Sequence, residues 1–133
     1  MAITFSVSGD PVPQPRPRVS TRGGFARAYV PAKHAVHGYR AAIADAARAA
    51  GAGVHGEPVE VVIDLVFARP KSHLRKGGLA KDAPRYPRPD IDNATKAVLD
   101  ALNGVAWQDD SQVTRLVVEK TYGPEARTTV RIS

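Results

Sequence analysis

Pro58-Val-Glu-Val-Val-Ile-Asp-Leu-Val-Phe-Ala68 is the stretch from which the fold is read. Val59, Val61, Ile63, Leu65 and Phe67 recur at every second position and so share one face of an extended strand. Val62 and Val66 make the opposite face partly apolar, which predicts a central strand covered on both sides. Outward from it, residues 3–8 set Ile3, Phe5 and Val7 against Thr4, Ser6 and Ser8, the pattern of a half-buried strand. Residues 113–122 and 127–132 read as two more strands joined by a turn at Gly123-Pro124. Residues 34–50 are rich in alanine, with Ile43 the largest aliphatic and Gly51 a natural stop, and predict a helix. Its small side chains bury little area each, so it needs a flat surface, such as a sheet, to lean on. A second helix is expected over 93–103, burying Ala94, Ala97, Val98, Ala101 and Leu102 and stopping at Gly104. The expected fold class is α/β (α+β). It is a single domain over residues 1–133, with a mixed sheet of about four strands packed by two main helices, and with long basic loops.

Those loops hold much of the positive charge. Residues 9–33 contain Arg16, Arg18, Arg22, Arg27 and Lys33 against the single acid Asp10, and their prolines and glycines forbid regular structure over most of the segment. Residues 69–89 contain Arg69, Lys71, Arg75, Lys76, Lys81, Arg85 and Arg88 against Asp82, again interrupted by prolines. A loop of that length in a compact domain is usually functional or disordered. The formal net charge is +6 and the sequence pI about 10.0, which favours an anionic partner: DNA, RNA or a membrane surface. The absence of cysteine excludes disulfides, thiolate zinc sites and cysteine nucleophiles. No apolar run approaches the roughly 18 residues of a membrane span, and the first residues lack the pattern of a secretory signal. A soluble, cytoplasmic protein with no membrane partner is expected. His34, His37, His55 and His73 lack ligand-like spacing and read as surface or loop residues.

Against this basic background stands an acidic cluster. In Arg88-Pro-Asp-Ile-Asp-Asn-Ala-Thr-Lys96, Asp90 and Asp92 lie two apart. In an extended segment both carboxylates would face one side while Ile91 anchors the other. Asp92 or Asn93 is a good N-cap for the helix that follows. Lys96 lies one turn past Asp92, placed for an ordinary i, i+4 ion pair or for service beside a phosphate. Asp109 and Asp110 follow the helix. Eleven helical residues span roughly 16 Å, and the next seven, nearly extended, cover about 23 Å, so the chain can return to the Asp90–Asp92 end. Two carboxylates about 4 Å apart repel by on the order of 4 kcal/mol at an effective dielectric near 20, so a converged set needs a proton or a cation. Hard oxygen donors without His or Cys suit Mg2+, with Mn2+ as a possible substitute. A calcium EF-hand loop does not fit, because Thr95 stands where its glycine belongs.

The run Asp90-Ile-Asp-Asn, then Lys96-Ala-Val-Leu-Asp-Ala-Leu-Asn-Gly104, then Trp107-Gln-Asp-Asp-Ser-Gln-Val113 resembles the RusA family of Holliday-junction resolvases. The opening Pro11-Val-Pro-Gln-Pro-Arg-Pro-Arg18 is similar to the proline- and arginine-rich start of many members. The resemblance implies a homodimeric, Mg2+-dependent endodeoxyribonuclease that resolves four-way DNA junctions by paired symmetric nicks in recombination and repair. It implies that Asp90, Asp92 and Asp110 hold the metal, that Asp109 is an accessory acid, and that Lys96 is the basic residue needed for cleavage. Some members carry a basic residue directly before the first aspartate; here Pro89 stands there and Arg88 one step earlier. Arg16, Arg18, Arg22, Arg27, Lys71, Arg75, Lys76, Arg85 and Arg88 are the expected DNA contacts. Tyr86 and Trp107 are able to stack on bases, although Trp107 reads first as a core anchor. Competing readings are a metal nuclease for other branched DNA, a catalytically inactive junction-binding module, and a sugar-nucleotide transferase using Asp-x-Asp. The last is disfavoured by the absence of a nucleotide-binding βαβ pattern.

Overall fold

Alternating side chains in four segments build one sheet, and the register of that sheet shows what it buries. The computed structural model describes residues 2–133. In chain order the elements are β1 (Ile3–Ser8), β2 (Arg18–Ser20), β3 (Arg27–Tyr29), α1 (Ala35–Ala49), β4 (Val59–Ala68), β5 (Leu74–Arg75), β6 (Gly78–Leu79), α2 (Ile91–Leu102), β7 (Val113–Gly123) and β8 (Arg127–Ile132). The main sheet runs β1-β8-β4-β7. β8 is antiparallel to both β1 and β4, while β7 lies parallel to β4, the chain crossing between them through α2. The sheet is therefore mixed and four-stranded, in one α+β domain.

Three rows cross the inner face. Ile3, Ile132, Val61 and Leu116 form the first; Phe5, Val130, Ile63 and Val118 the second; Val7, Thr128, Leu65 and Lys120 the third. Val36, Tyr39, Ile43 and Ala47 of α1 and Ala94, Ala97, Val98, Ala101 and Leu102 of α2 close over this face, as the helical spacing predicts. The one fully buried polar side chain in these rows, Thr128, has its hydroxyl paired with the Tyr39 hydroxyl. A buried polar group without such a partner would be destabilising.

Three expectations need correction. The face of β4 carrying Glu60, Val62 and Asp64 is exposed, so the strand is central but covered on one side only. Most of its neighbours there, including Arg131, Thr129 and Glu119, are polar and need no cover. The turn at Gly123-Pro124 joins β7 to β8 as expected, and β4 lies between the two strands. At Gly123 a Cβ would meet Val66 Cγ1 at 2.6 Å, so only glycine lets the end of β7 lie against β4. The two basic loops are not wholly irregular: β2–β3 and β5–β6 form small antiparallel hairpins within them. Finally, α2 starts at Ile91 rather than near 93, with Asp90 at its N-cap position and Asp92 already in the first turn.

Candidate active site

The early start of α2 decides where its acids point. Asp90 ends the extended segment (φ −65°, ψ 133°), and Ile91 and Asp92 are helical. Because the backbone turns from extended to helical between the two acids, the side-by-side presentation expected of an extended Asp-x-Asp does not occur. Asp92 instead lines a hollow of about 480 Å³ with Lys96, Asp100 and Asp110. Its walls are Ile91, Thr95 and Leu99 of α2 and Leu116 and Val118 of β7. Asp90 lines a neighbouring hollow with Arg16, Arg88, Gln14, His34 and Asn93. Asp109 borders neither.

The chain does return after α2, as its length allows, and brings Asp110 to the hollow of Asp92 and Lys96. The anchor is Trp107, which is fully buried. Its indole N–H donates to Asp110 Oδ1 at 2.8 Å. Asp109 caps the next short turn (110–112), where its carboxylate accepts from the Ser111 N–H. Hydrogen bonding from Ser111 holds the Asp109 carboxyl below the usual carboxylate range. Gln112 completes the turn: its Oε1 accepts from the Gln108 and Asp109 N–H groups, and its Nε2 donates to the carbonyls of His55 and Glu57. That one carboxamide fixes the acidic turn to the segment preceding β4.

Lys96 is exposed and forms no ion pair with Asp92; among the described residues the one salt bridge joins Arg48 and Asp45. Its ammonium is thus free to meet a ligand. Among the described residues no three carboxylates or imidazoles lie close enough to form a ready-made metal cage. The donors present still fit a hard divalent ion. Mg2+ is commonly held by one or two carboxylates, with water and substrate phosphate oxygens completing its shell. Asp92 and Asp110, opening on one hollow, supply that minimum.

Two participants were not singled out in the sequence. Asp100 shares the hollow, and its i, i+4, i+8 spacing with Lys96 and Asp92 was the available signal. Lys120 occupies an inward phase of β7, in line with Val118 and Leu116. Its Nζ donates to the carbonyls of Pro87 and Pro89, both at 2.8 Å, and so pins the backbone leading into Asp90. A lysine in an apolar strand phase was the signal there. Each of the nine expected DNA contacts, Arg16, Arg18, Arg22, Arg27, Lys71, Arg75, Lys76, Arg85 and Arg88, is exposed. Three of the four histidines make local hydrogen bonds: His34 Nδ1 accepts from Val36 N–H at the start of α1, His37 bonds the Pro31 carbonyl, and His55 Nδ1 accepts from Glu57 N–H; His73 meets the Tyr122 ring edge-on.

Residues 8–133 match the sequence model of the family described as Endodeoxyribonuclease RusA. A Bacillus subtilis (strain 168) protein described as the uncharacterized protein YqaN is 36% identical over 135 residues, covering 98% of this chain and 94% of its own length.

Proposed function

The chain belongs to the RusA family of endodeoxyribonucleases, and from that premise we propose that it resolves four-way DNA junctions by Mg2+-dependent, paired symmetric nicks. The observation that carries this reading is the single hollow between α2 and β7 lined by Asp92, Lys96 and Asp110. Asp92 and Asp110 would hold Mg2+ or Mn2+, with Asp90 in the adjoining hollow and Asp109 capping the acidic turn. Such an ion supplies positive charge that activates a water nucleophile and neutralises the departing oxygen. Trp107 holds Asp110 by its Oδ1, which leaves Oδ2 available to a ligand. The Lys96 ammonium offsets charge on the scissile phosphate. The arginines and lysines of the two basic segments hold flanking phosphates. A homodimer would present two such sites related by a two-fold axis, matching the near symmetry of a four-way junction.

The test replaces Asp90, Asp92 and Asp110 individually by Asn and reads junction binding and Mg2+-dependent nicking separately, with three-way and linear DNA as competitors. Each variant is expected to retain binding and to lose nicking by at least about a hundred-fold. Undiminished nicking by all three would remove them from the mechanism. Equal cutting of linear DNA would refute the junction assignment.

A further inference from the structure

The exposed apolar side chains of this protein are concentrated where its positive charge is. Of the ten exposed large hydrophobic residues among the described residues, six lie in the two basic segments: Val19, Phe25, Tyr29, Leu74, Leu79 and Tyr86. Exposed apolar groups on a basic surface are unfavourable in water and serve no phosphate. They suit a partner that offers phosphates and uncovered base faces together.

The hairpin β2–β3 shows the arrangement most clearly. From Arg16 to Tyr29 every residue but Ser20 is exposed, so the hairpin stands clear of the core. The segment contains Arg16, Arg18, Arg22 and Arg27 and no acid. Cross-strand pairing puts Arg18 opposite Tyr29 and Ser20 opposite Arg27. One face therefore carries cations around Tyr29, and Ser20, Arg22, Arg27 and Tyr29 line a shallow hollow on it. At the turn, Gly23 (φ +77°) and Gly24 (φ +80°) take left-handed conformations that let the chain reverse. Immediately after them comes Phe25, 71% exposed. No demand of the core accounts for a phenylalanine at that position.

We propose that the β2–β3 hairpin is a wedge for branched DNA, with Phe25 stacking on a base at the branch point while Arg18, Arg22 and Arg27 hold the phosphates beside it. This rests on the nuclease reading above and adds to it the device that separates a branch point from plain duplex. A continuous duplex hides its base faces, and a branch point exposes them. Aromatic stacking on an uncovered base is tolerant of sequence, and apolar wedges that enter a base step work the same way. The hairpin leaves the body beside the candidate active site: Gln14, just before it, donates its backbone N–H to the Asn93 carbonyl in the first turn of α2.

The experiment compares the full chain with its Phe25→Ala and Phe25→Trp variants, without Mg2+, on a synthetic four-way junction carrying 2-aminopurine at the branch point and on a linear duplex of the same arm sequence. The wild type is expected to prefer the junction and to raise the probe's fluorescence as its base unstacks. Phe25→Ala should lose about ten-fold or more of affinity for the junction relative to duplex and leave the fluorescence flat, and Phe25→Trp should restore both. An Arg22→Ala, Arg27→Ala double variant should weaken binding to both DNAs alike, as phosphate contacts do. Phe25→Ala with unchanged preference and an unchanged fluorescence rise overturns the wedge. Adding Mg2+ keeps the two readings apart. A wild type that opens the junction but never cuts it overturns the nuclease reading alone, and a wild type that cuts while Phe25→Ala matches it throughout overturns the wedge alone.

Discussion

Trp107 serves the core and the hollow at once, because its ring is buried while its N–H holds the Asp110 carboxylate. The two roles separate by substitution. Trp107→Phe keeps an aromatic ring in the core and removes the donor, so Asp110 loses one charge-assisted hydrogen bond. Such a bond contributes roughly 1.5–3 kcal/mol, and nicking is expected to fall about ten- to a hundred-fold. The half-maximal Mg2+ concentration should rise while the junction Kd stays the same, and a weakened Kd with an unchanged Mg2+ requirement would assign Trp107 to packing alone. The neighbouring Asp109 behaves differently. Its carboxyl is held low by Ser111, so its cap on the acidic turn persists above the ordinary carboxylate range and is lost as the pH falls through its lowered value. The acid pattern and Lys96 were legible in the sequence because spacing along a helix is a local property. The roles of Trp107, Gln112 and Lys120 were not, because each depends on a partner set by chain return or strand pairing.

Among the elements, α1 is tied to the sheet by one buried polar pair as well as by packing. Burial pushes the Tyr39 hydroxyl up to about 12 from an ordinary 10, against the smaller opposing effect of its hydrogen bond with Thr128. The unfolded chain therefore ionises this tyrosine first. Its stabilising effect is complete below pH 10 and is lost as the pH rises toward 12, with a total on the order of 2–3 kcal/mol. Tyr39→Phe should cost about 1–3 kcal/mol at neutral pH by leaving the Thr128 hydroxyl unpaired, and should flatten the loss between pH 10 and 12. Urea unfolding at a series of pH values reads both effects, and an identical alkaline slope in the two proteins would refute the assignment. The two hairpins escaped the sequence reading for a different reason. Their strands are two or three residues long, too short for alternation to register, and the same glycines and prolines that signal irregularity also make their turns.

Across the whole molecule, two basic segments distant in sequence are rooted at one end of α2. The first is held by the bond from Gln14 N–H to the Asn93 carbonyl, and the second by Lys120 on the Pro87 and Pro89 carbonyls. Arg16 of the first and Arg88 of the second line one hollow with Asp90. Under the proposed function, phosphates gathered by both segments would be led toward the carboxylates. Since each neutralised phosphate releases counterions, log affinity for the junction should fall against log salt with a slope of about −4 or steeper. Filter binding across a salt series measures it, and a flat dependence would remove these residues from DNA binding. None of the helices among the described residues is long and apolar enough to cross a membrane.

The sequence by itself determined the two main helices and the four strands of the main sheet, the inward face of β4, the acid and lysine spacing, and the concentration of charge in two segments. All of these are written in periodicity and composition over a few residues. Tertiary structure alone decided that β4 would separate β7 from β8, that the outer face of the sheet would stay open, and that Asp92 would join Asp110 while Asp90 turned to the arginines. The physical reason is that pairing order and helix start are settled by contacts between distant parts of the chain. A shift of two residues in where a helix begins rotates a carboxylate by half a turn or more, which no local pattern records.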